Sequence, residues 1–172
     1  DHKYIYSHAG YNMKITDMQA ACGLGQLNRV KDFIKSRKNN FKYIYDNLKS
    51  HEELLILPKA TENSDPSWFG FPITLRDNLL ITRTELLRYL DEKKIGTRLL
   101  FSGNATKQPY MLNKKFRIVG NLDNTTNIMK NTFWIGLYPG LSFEQLDFVG
   151  IKIHTPLFRQ LPDGFRNLKS GI

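Results

Sequence analysis

Three segments share one spacing and fix where helices begin. Thr16-x-x-Gln19, Thr82-x-x-Glu85 and Ser142-x-x-Gln145 each place a hydroxyl three residues ahead of a longer polar side chain. The hydroxyl accepts from the amide three residues on, and the longer side chain reaches back to the amide of the hydroxyl residue. Two donors orphaned at a helix start are thereby satisfied reciprocally. Ile81 with Leu86, and Leu141 with Leu146, have the staple spacing around the second and third boxes. Asp17 adds a carboxylate to the first turn of the first helix, where the helix dipole favours it.

The intervals between these entries must supply the strands. Leu54–Leu57 is a short apolar run closed by Pro58. Trp68–Leu75 reads as a strand that Pro72 restricts to an edge or a bulge. Thr97–Phe101 and Phe133–Tyr138 are the other two, the last closed by Pro139-Gly140. The first helix is expected from Asp17 to about Lys49, with Leu27, Val30, Ile34, Phe41, Ile44 and Leu48 on one face. Gly23 and Gly25 each cost it about 1 kcal/mol relative to alanine. They mark either a kink or tight packing within the chain, or a close approach by a partner subunit. The second helix should reach about Lys94, with Gly96 as a left-handed cap. A short helix is expected over Asn121–Asn131, and Ser102–Asn121 is irregular, broken by Gly103, Pro109 and Gly120. The third box starts a helix carrying Phe143, Leu146, Phe148 and Val149. Pro156 lacks the amide that helix needs and should end it, leaving a loosely packed tail from about His154. Strand, helix, strand is the rhythm of a small α/β domain.

At 172 residues, 41% hydrophobic and 12% aromatic, the chain can bury one sizeable core. No apolar run approaches the roughly 18 residues of a membrane span, so no membrane partner is expected. No secretory signal precedes the first motif, and a cytoplasmic protein is expected. Cys22 is the one cysteine, which excludes an intrachain disulfide and a cysteine metal cluster in this sequence. His2, His8, His51 and His154 are too scattered in sequence to propose a metal site. The formal charge of +9 fits a basic solvated surface or an anionic small substrate. Nucleic-acid binding is not expected, because the lysines and arginines are dispersed and no RNP, zinc-finger or Gly-x-x-Gly clamp accompanies them.

Two places invite an anion. Asn12 and Lys14 sit just ahead of the first helix entry, where an amide and an ammonium suit a phosphate; an ordinary turn is the alternative. Arg98 lies in an otherwise apolar strand and must find a partner or reach solvent. It is either an anion contact or half of a sheet-edge salt bridge. Trp68, Phe69 and Phe71 either stack on a sugar or base, or belong to the core.

Gly10-Tyr11-Asn12-Met13-Lys14, followed by Thr16-Asp17-Met18-Gln19-Ala20-Ala21, resembles the sugar aminotransferase and dehydratase family, whose enzymes use pyridoxal or pyridoxamine phosphate on the type I fold. Ser64–Phe71, Lys94–Phe101 and Asn131–Gly136 resemble one branch, CDP-4-dehydro-6-deoxyglucose 3-dehydratase, which serves 3,6-dideoxysugar synthesis for lipopolysaccharide O-antigen. The resemblance runs from about residue 1 to about 153 and covers only the C-terminal part of such an enzyme.

It implies an α/β fold: a long helix feeding the small C-terminal domain. Residues 1–50 would then be the end of the large cofactor domain with its connecting helix, 51–153 the small domain, and 154–172 a tail without resemblance. It also implies that Asn12 reaches the cofactor phosphate of the neighbouring subunit in a homodimer. Lys14 stands where many members have arginine, so it keeps the charge and loses the planar fork. Arg98, Trp68 and Phe71 become substrate contacts, Arg98 to the diphosphate of a CDP-sugar. The attachment residue (lysine in aminotransferases, histidine in the dehydratase branch), the pyridinium carboxylate and the cysteines of a 2Fe-2S cluster would all lie upstream of Asp1. An iron-sulfur flavin reductase would supply electrons. A nucleotide-sugar aminotransferase, or a non-catalytic remnant or half of a split enzyme, are the alternatives.

Overall fold

The computed structural model describes residues 5–8, 10, 15–77 and 79–158. Its helices are α1 (Asp17–Leu24), α2 (Val30–Leu48), α3 (Arg83–Glu92), α4 (Asp123–Asn131) and α5 (Phe143–Phe158). Its strands are β1 (Leu55–Ile56), β2 (Gly70–Leu75), β3 (Thr97–Leu99) and β4 (Thr132–Gly136). They form one sheet in the order β1-β2-β4-β3, antiparallel at every pairing.

The three boxes form as their spacing requires. Thr16 N–H donates to Gln19 Oε1 at 2.8 Å, Thr82 N–H to Glu85 Oε2 at 2.8 Å, and Ser142 N–H to Gln145 Oε1 at 2.9 Å. The reciprocal amides of Gln19, Glu85 and Gln145 donate to the three hydroxyls.

The long first helix is in fact two. The Gly25 amide still bonds to the Ala21 carbonyl, but the Gln26 amide bonds back to Gly23, which tightens the chain into a turn and a 3-10 segment over Leu27–Arg29. A Cβ at Gly23 would meet nothing within 4 Å among the described residues, so the helix breaks at these glycines without close packing inside the described chain. The apolar periodicity of the helix is used only in part. Ile44 and Leu48 are buried, whereas Leu27, Val30 and Ile34 are exposed and α1 buries nothing.

The core lies between one sheet face and α2, α3 and α5. Phe71, Ile73 and Leu75 of β2 and Phe133 and Ile135 of β4 point inward, as the two-residue period demands. Phe71 faces Ile135, and Ile73 faces Phe133, across the ladder. Leu86 and Leu90 of α3, and Leu146, Ile153 and Leu157 of α5, close over them.

Four expectations are corrected. Lys94, with φ of 62°, takes the left-handed position after α3 that Gly96 was expected to hold. Strand β2 is an inner strand, yet β1 pairs only with Thr74 and Leu75, so at Pro72 the sheet is locally an edge and the missing amide breaks no ladder bond on that side. Strand β3 ends at Leu99, because Phe101 turns to a φ of 48°. Finally, α5 passes through Pro156 and continues to Phe158. A helix-interior proline costs about 3 kcal/mol, while fully burying an aliphatic side chain gains about 1.5–3 kcal/mol. Ile153 and Leu157 are both at 0% exposure, so two buried side chains outweigh one lost bond. Thr155 Oγ1 donates to the Ile151 carbonyl at 2.7 Å beside the break. The rest of the expected tail, from Arg159 on, lies outside the described residues.

Leu157→Ala is therefore expected to destabilise the fold by about 2–5 kcal/mol in denaturant unfolding; a loss under about 0.5 kcal/mol would mean the last turn of α5 is not docked. The cap of α3 makes a pH prediction. Bonds from the Thr82 amide, then its hydroxyl, hold the Glu85 carboxyl below its usual range. A depressed folded pKa gives stability that is present above the unfolded value and lost as pH falls through the folded one. Thermal melts should show an acid-side loss below about pH 4.3 that is smaller in Glu85→Gln and not abolished, because the carboxyls of Asp46 and Glu144 are also held below their usual range.

Candidate functional site

The pleat that buries one face of the sheet leaves a polar and aromatic row on the other. Arg98 of β3 is in register with Trp134 of β4, and Trp134 with Pro72 of β2, so the three share the face away from the helices. The Trp134 indole lies over Gly70, where an added Cβ would come within 2.2 Å of the ring. Trp134 Nε1 donates to the Leu99 carbonyl at 3.1 Å, which fixes the ring orientation. Arg98 is exposed, and among the described residues it makes no ion pair or side-chain hydrogen bond. Among the described residues no carboxylate pairs with Arg98, and its guanidinium stands at the sheet edge.

The other two proposed substrate contacts divide. Trp68 is half-buried and stacks on Phe41, with centroids 5.3 Å apart and planes 10° apart. Phe71 is at 0% exposure, its ring tilted against Phe41 at 5.0 Å. Phe71 is a core residue with no face to offer a ligand, a correction that follows from strand register: an inward position on β2 cannot also be at the surface.

Asn12 and Lys14 lie outside the described residues, but the segment that leads to them is anchored. The Tyr6 amide donates to Gln108 Oε1 at 3.0 Å, and the Tyr110 amide donates to the Tyr6 carbonyl at 3.1 Å. Gln108 is buried and also donates through Nε2 to the Ser102 carbonyl at 3.0 Å. Asn104, at 1% exposure, accepts from the Thr106 amide and donates to Thr126 Oγ1. Residues 5–8 are thus tied to the loop after β3. Arg83 Nη1 donates to the carbonyls of Met129 and Thr132, and burial pushes its guanidinium pKa down. With Gln108, Leu99 and Met129 it lines a cavity of about 150 Å³.

The sequence offered little warning of Gln108 or Asn104, since both lie in a stretch that reads only as irregular. The one signal is Asn104-x-Thr106, the spacing of an asparagine side chain accepting from the amide two residues on. His51 and His154, distant in sequence, have ring centroids 4.5 Å apart where α5 passes the end of α2. Among the described residues no group of three or more histidine, cysteine or acidic side chains is placed to hold a metal. Nor is any described helix long and apolar enough to cross a membrane.

Residues 1–154 match the DegT/DnrJ/EryC1/StrS aminotransferase family. The chain belongs to that family. It is 63% identical over 149 residues to the lipopolysaccharide biosynthesis protein RfbH of Salmonella typhimurium, covering 87% of this chain and 34% of the relative. It is 44% identical to the dTDP-4-dehydro-2,6-dideoxy-D-glucose 3-dehydratase of Saccharopolyspora spinosa, covering 87% and 32%. Among solved structures it is similar to the E coli GDP-4-keto-6-deoxy-D-mannose-3-dehydratase with bound hydrated PLP. The TM-score there is 0.73 at 28% identity, over 84% of this chain and 36% of that one. An aminotransferase from Psychrobacter cryohalolentis, with a TM-score of 0.75 at 19% identity, shares the fold.

The architecture is accordingly the small C-terminal α/β domain of the type I pyridoxal-phosphate-dependent fold, entered through α1 and α2. The chain spans about a third of the length of the curated relatives it matches.

Gly70→Ala tests the packing of the open face. The added methyl meets the Trp134 ring and the Ile135 carbonyl, so a loss of about 1–3 kcal/mol is expected, with a shift of tryptophan emission. Unchanged emission would show that the indole does not rest on Gly70.

Proposed function

We propose that this chain is the C-terminal part of a pyridoxamine-phosphate-dependent CDP-4-keto-6-deoxyglucose 3-dehydratase acting in 3,6-dideoxysugar synthesis for lipopolysaccharide. The observation that carries this reading is the kinship to two proteins named as nucleotide-sugar 3-dehydratases, over nearly the whole described chain. The sugar nucleotide differs between those relatives. CDP rests on the resemblance of Ser64–Phe71, Lys94–Phe101 and Asn131–Gly136 to the CDP-4-dehydro-6-deoxyglucose 3-dehydratase branch.

When bound, the cofactor supplies a protonated pyridine ring that acts as an electron sink. In the proposed homodimer this chain's part is to bind and orient. Asn12 donates its amide to the cofactor phosphate of the neighbouring subunit, and Lys14 adds a point charge. Arg98 holds the substrate diphosphate, for which an unpaired, always-charged fork is suited. Trp68, half-buried against Phe41, turns its remaining surface to the sugar. The attachment histidine, the 2Fe-2S cluster and the contact to a flavin reductase belong to the upstream part of the protein, and the reaction to the cytoplasm. Cys22 is exposed and free, and one thiolate does not make a cluster.

The second reading is a nucleotide-sugar aminotransferase, favoured by relatives named GDP-perosamine synthase. The residue at the upstream attachment position separates the two: histidine for the dehydratase, lysine for the aminotransferase. The DNA upstream of the Asp1 codon answers this, and also whether the chain is instead a non-catalytic remnant or half of a split enzyme.

In a complete enzyme bearing this segment, Asn12→Ala is expected to weaken cofactor retention by about 1–3 kcal/mol, measured as cofactor dissociation. Equal retention would return Asn12 to the role of a turn residue.

A further inference from the structure

Two guanidinium groups and two aromatic rings run from α2 past the start of β2 to β4 and β3. Arg37 of α2 donates through Nη1 to the carbonyls of Trp68 and Phe69 at 3.4 and 3.3 Å. Its guanidinium carbon lies 5.8 Å from the Phe69 ring centroid. The Phe69 centroid is 5.0 Å from that of Trp134, with the planes at 52°. Trp134 is in register with Arg98. Phe69 is 66% exposed, although it is a large apolar ring with Trp134 beside it.

We propose that Phe69 and Trp134, flanked by Arg37 and Arg98, bind the nucleoside diphosphate half of the substrate. This deepens, and rests on, the nucleotide-sugar reading above. The base stacks on the exposed ring of Phe69, and the diphosphate meets the guanidinium of Arg98. Trp134 backs the platform and is held by its bond to Leu99 and by the absence of a side chain at Gly70. Stacking on a ring tolerates any base, because every base has a π-face. The arginine fork selects phosphate oxygens.

Charge favours this occupant. Among the described residues neither Arg37 nor Arg98 forms an ion pair with a carboxylate. Asp32 lines a groove with Arg37 and Arg29, and forms no ion pair with either among the described residues. A nucleic-acid strand would need successive stacking rings and a track of several phosphate contacts. This face offers one well-exposed ring between two guanidinium groups.

The test titrates the full 172-residue chain with CDP and follows the Trp134 indole N–H resonance by NMR. A saturable shift is expected. Phe69→Ala and Arg98→Ala should each raise Kd at least tenfold with circular dichroism unchanged, while Lys42→Ala, on the outer face of α2, should not. Failure of CDP to saturate, inorganic pyrophosphate binding as tightly as CDP, or an oligonucleotide binding more tightly than CDP would each overturn the proposal. In the complete enzyme, Phe69→Ala should raise KM for the CDP-sugar. An unchanged KM with normal turnover would place the base elsewhere and leave the dehydratase reading standing. No turnover of any nucleotide sugar, with CDP still bound at Phe69, would overturn that reading and keep the site.

Discussion

The antiparallel ladder between β2 and β4 is the constraint on which the rest depends. Its register puts Phe71 opposite Ile135 and Ile73 opposite Phe133, and these side chains form the floor of the core. The same register puts Pro72 opposite Trp134, and β3 then places Arg98 beside it. A slip of one residue would exchange the two faces, burying an arginine and exposing the core. Hydrophobic burial on one side therefore determines the chemistry on the other. Each inward aromatic or aliphatic side chain contributes about 1.5–3 kcal/mol, far more than any surface contact of Arg98 could.

Much of the fold was legible because local chemistry and tertiary structure agree. The capping boxes at Thr16, Thr82 and Ser142 need no distant partner, and all three helix starts lie where the spacing put them. Strand positions were legible to within two residues at each start, since alternation and the turn residues after them are local signals. Disagreement came where a distant contact decided the outcome. Pro156 stays helical because Ile153 and Leu157 are buried against other elements, which no window around the proline reveals. Lys94 accepts a left-handed backbone that Gly96 would have taken more cheaply.

The site was legible in its parts and not in its assembly. Arg98 stood out as a charge in an apolar strand, and only the pairing with β4 shows that it shares a face with Trp134. Trp68, Phe69 and Phe71 are consecutive or nearly so, yet one is half-buried against Phe41, one is exposed and one is fully buried. Trp68 and Phe69 precede β2, where the two-residue alternation that buries Phe71 does not hold, so an aromatic cluster in sequence is not an aromatic cluster in space. Gln108, which ties residues 5–8 to the loop after β3, has no local pattern because its two partners are 102 and 6 residues away.

The central claim is that one face of the sheet builds the core while the other recognises a nucleotide. Mapping backbone amide and indole chemical shifts of the chain on addition of CDP tests it most directly. The account predicts shifts concentrated at Phe69, Gly70, Arg98 and the Trp134 indole, with Ile73, Phe133 and Leu90 unmoved. Shifts confined to the helical side, or spread evenly over the basic surface, would contradict it.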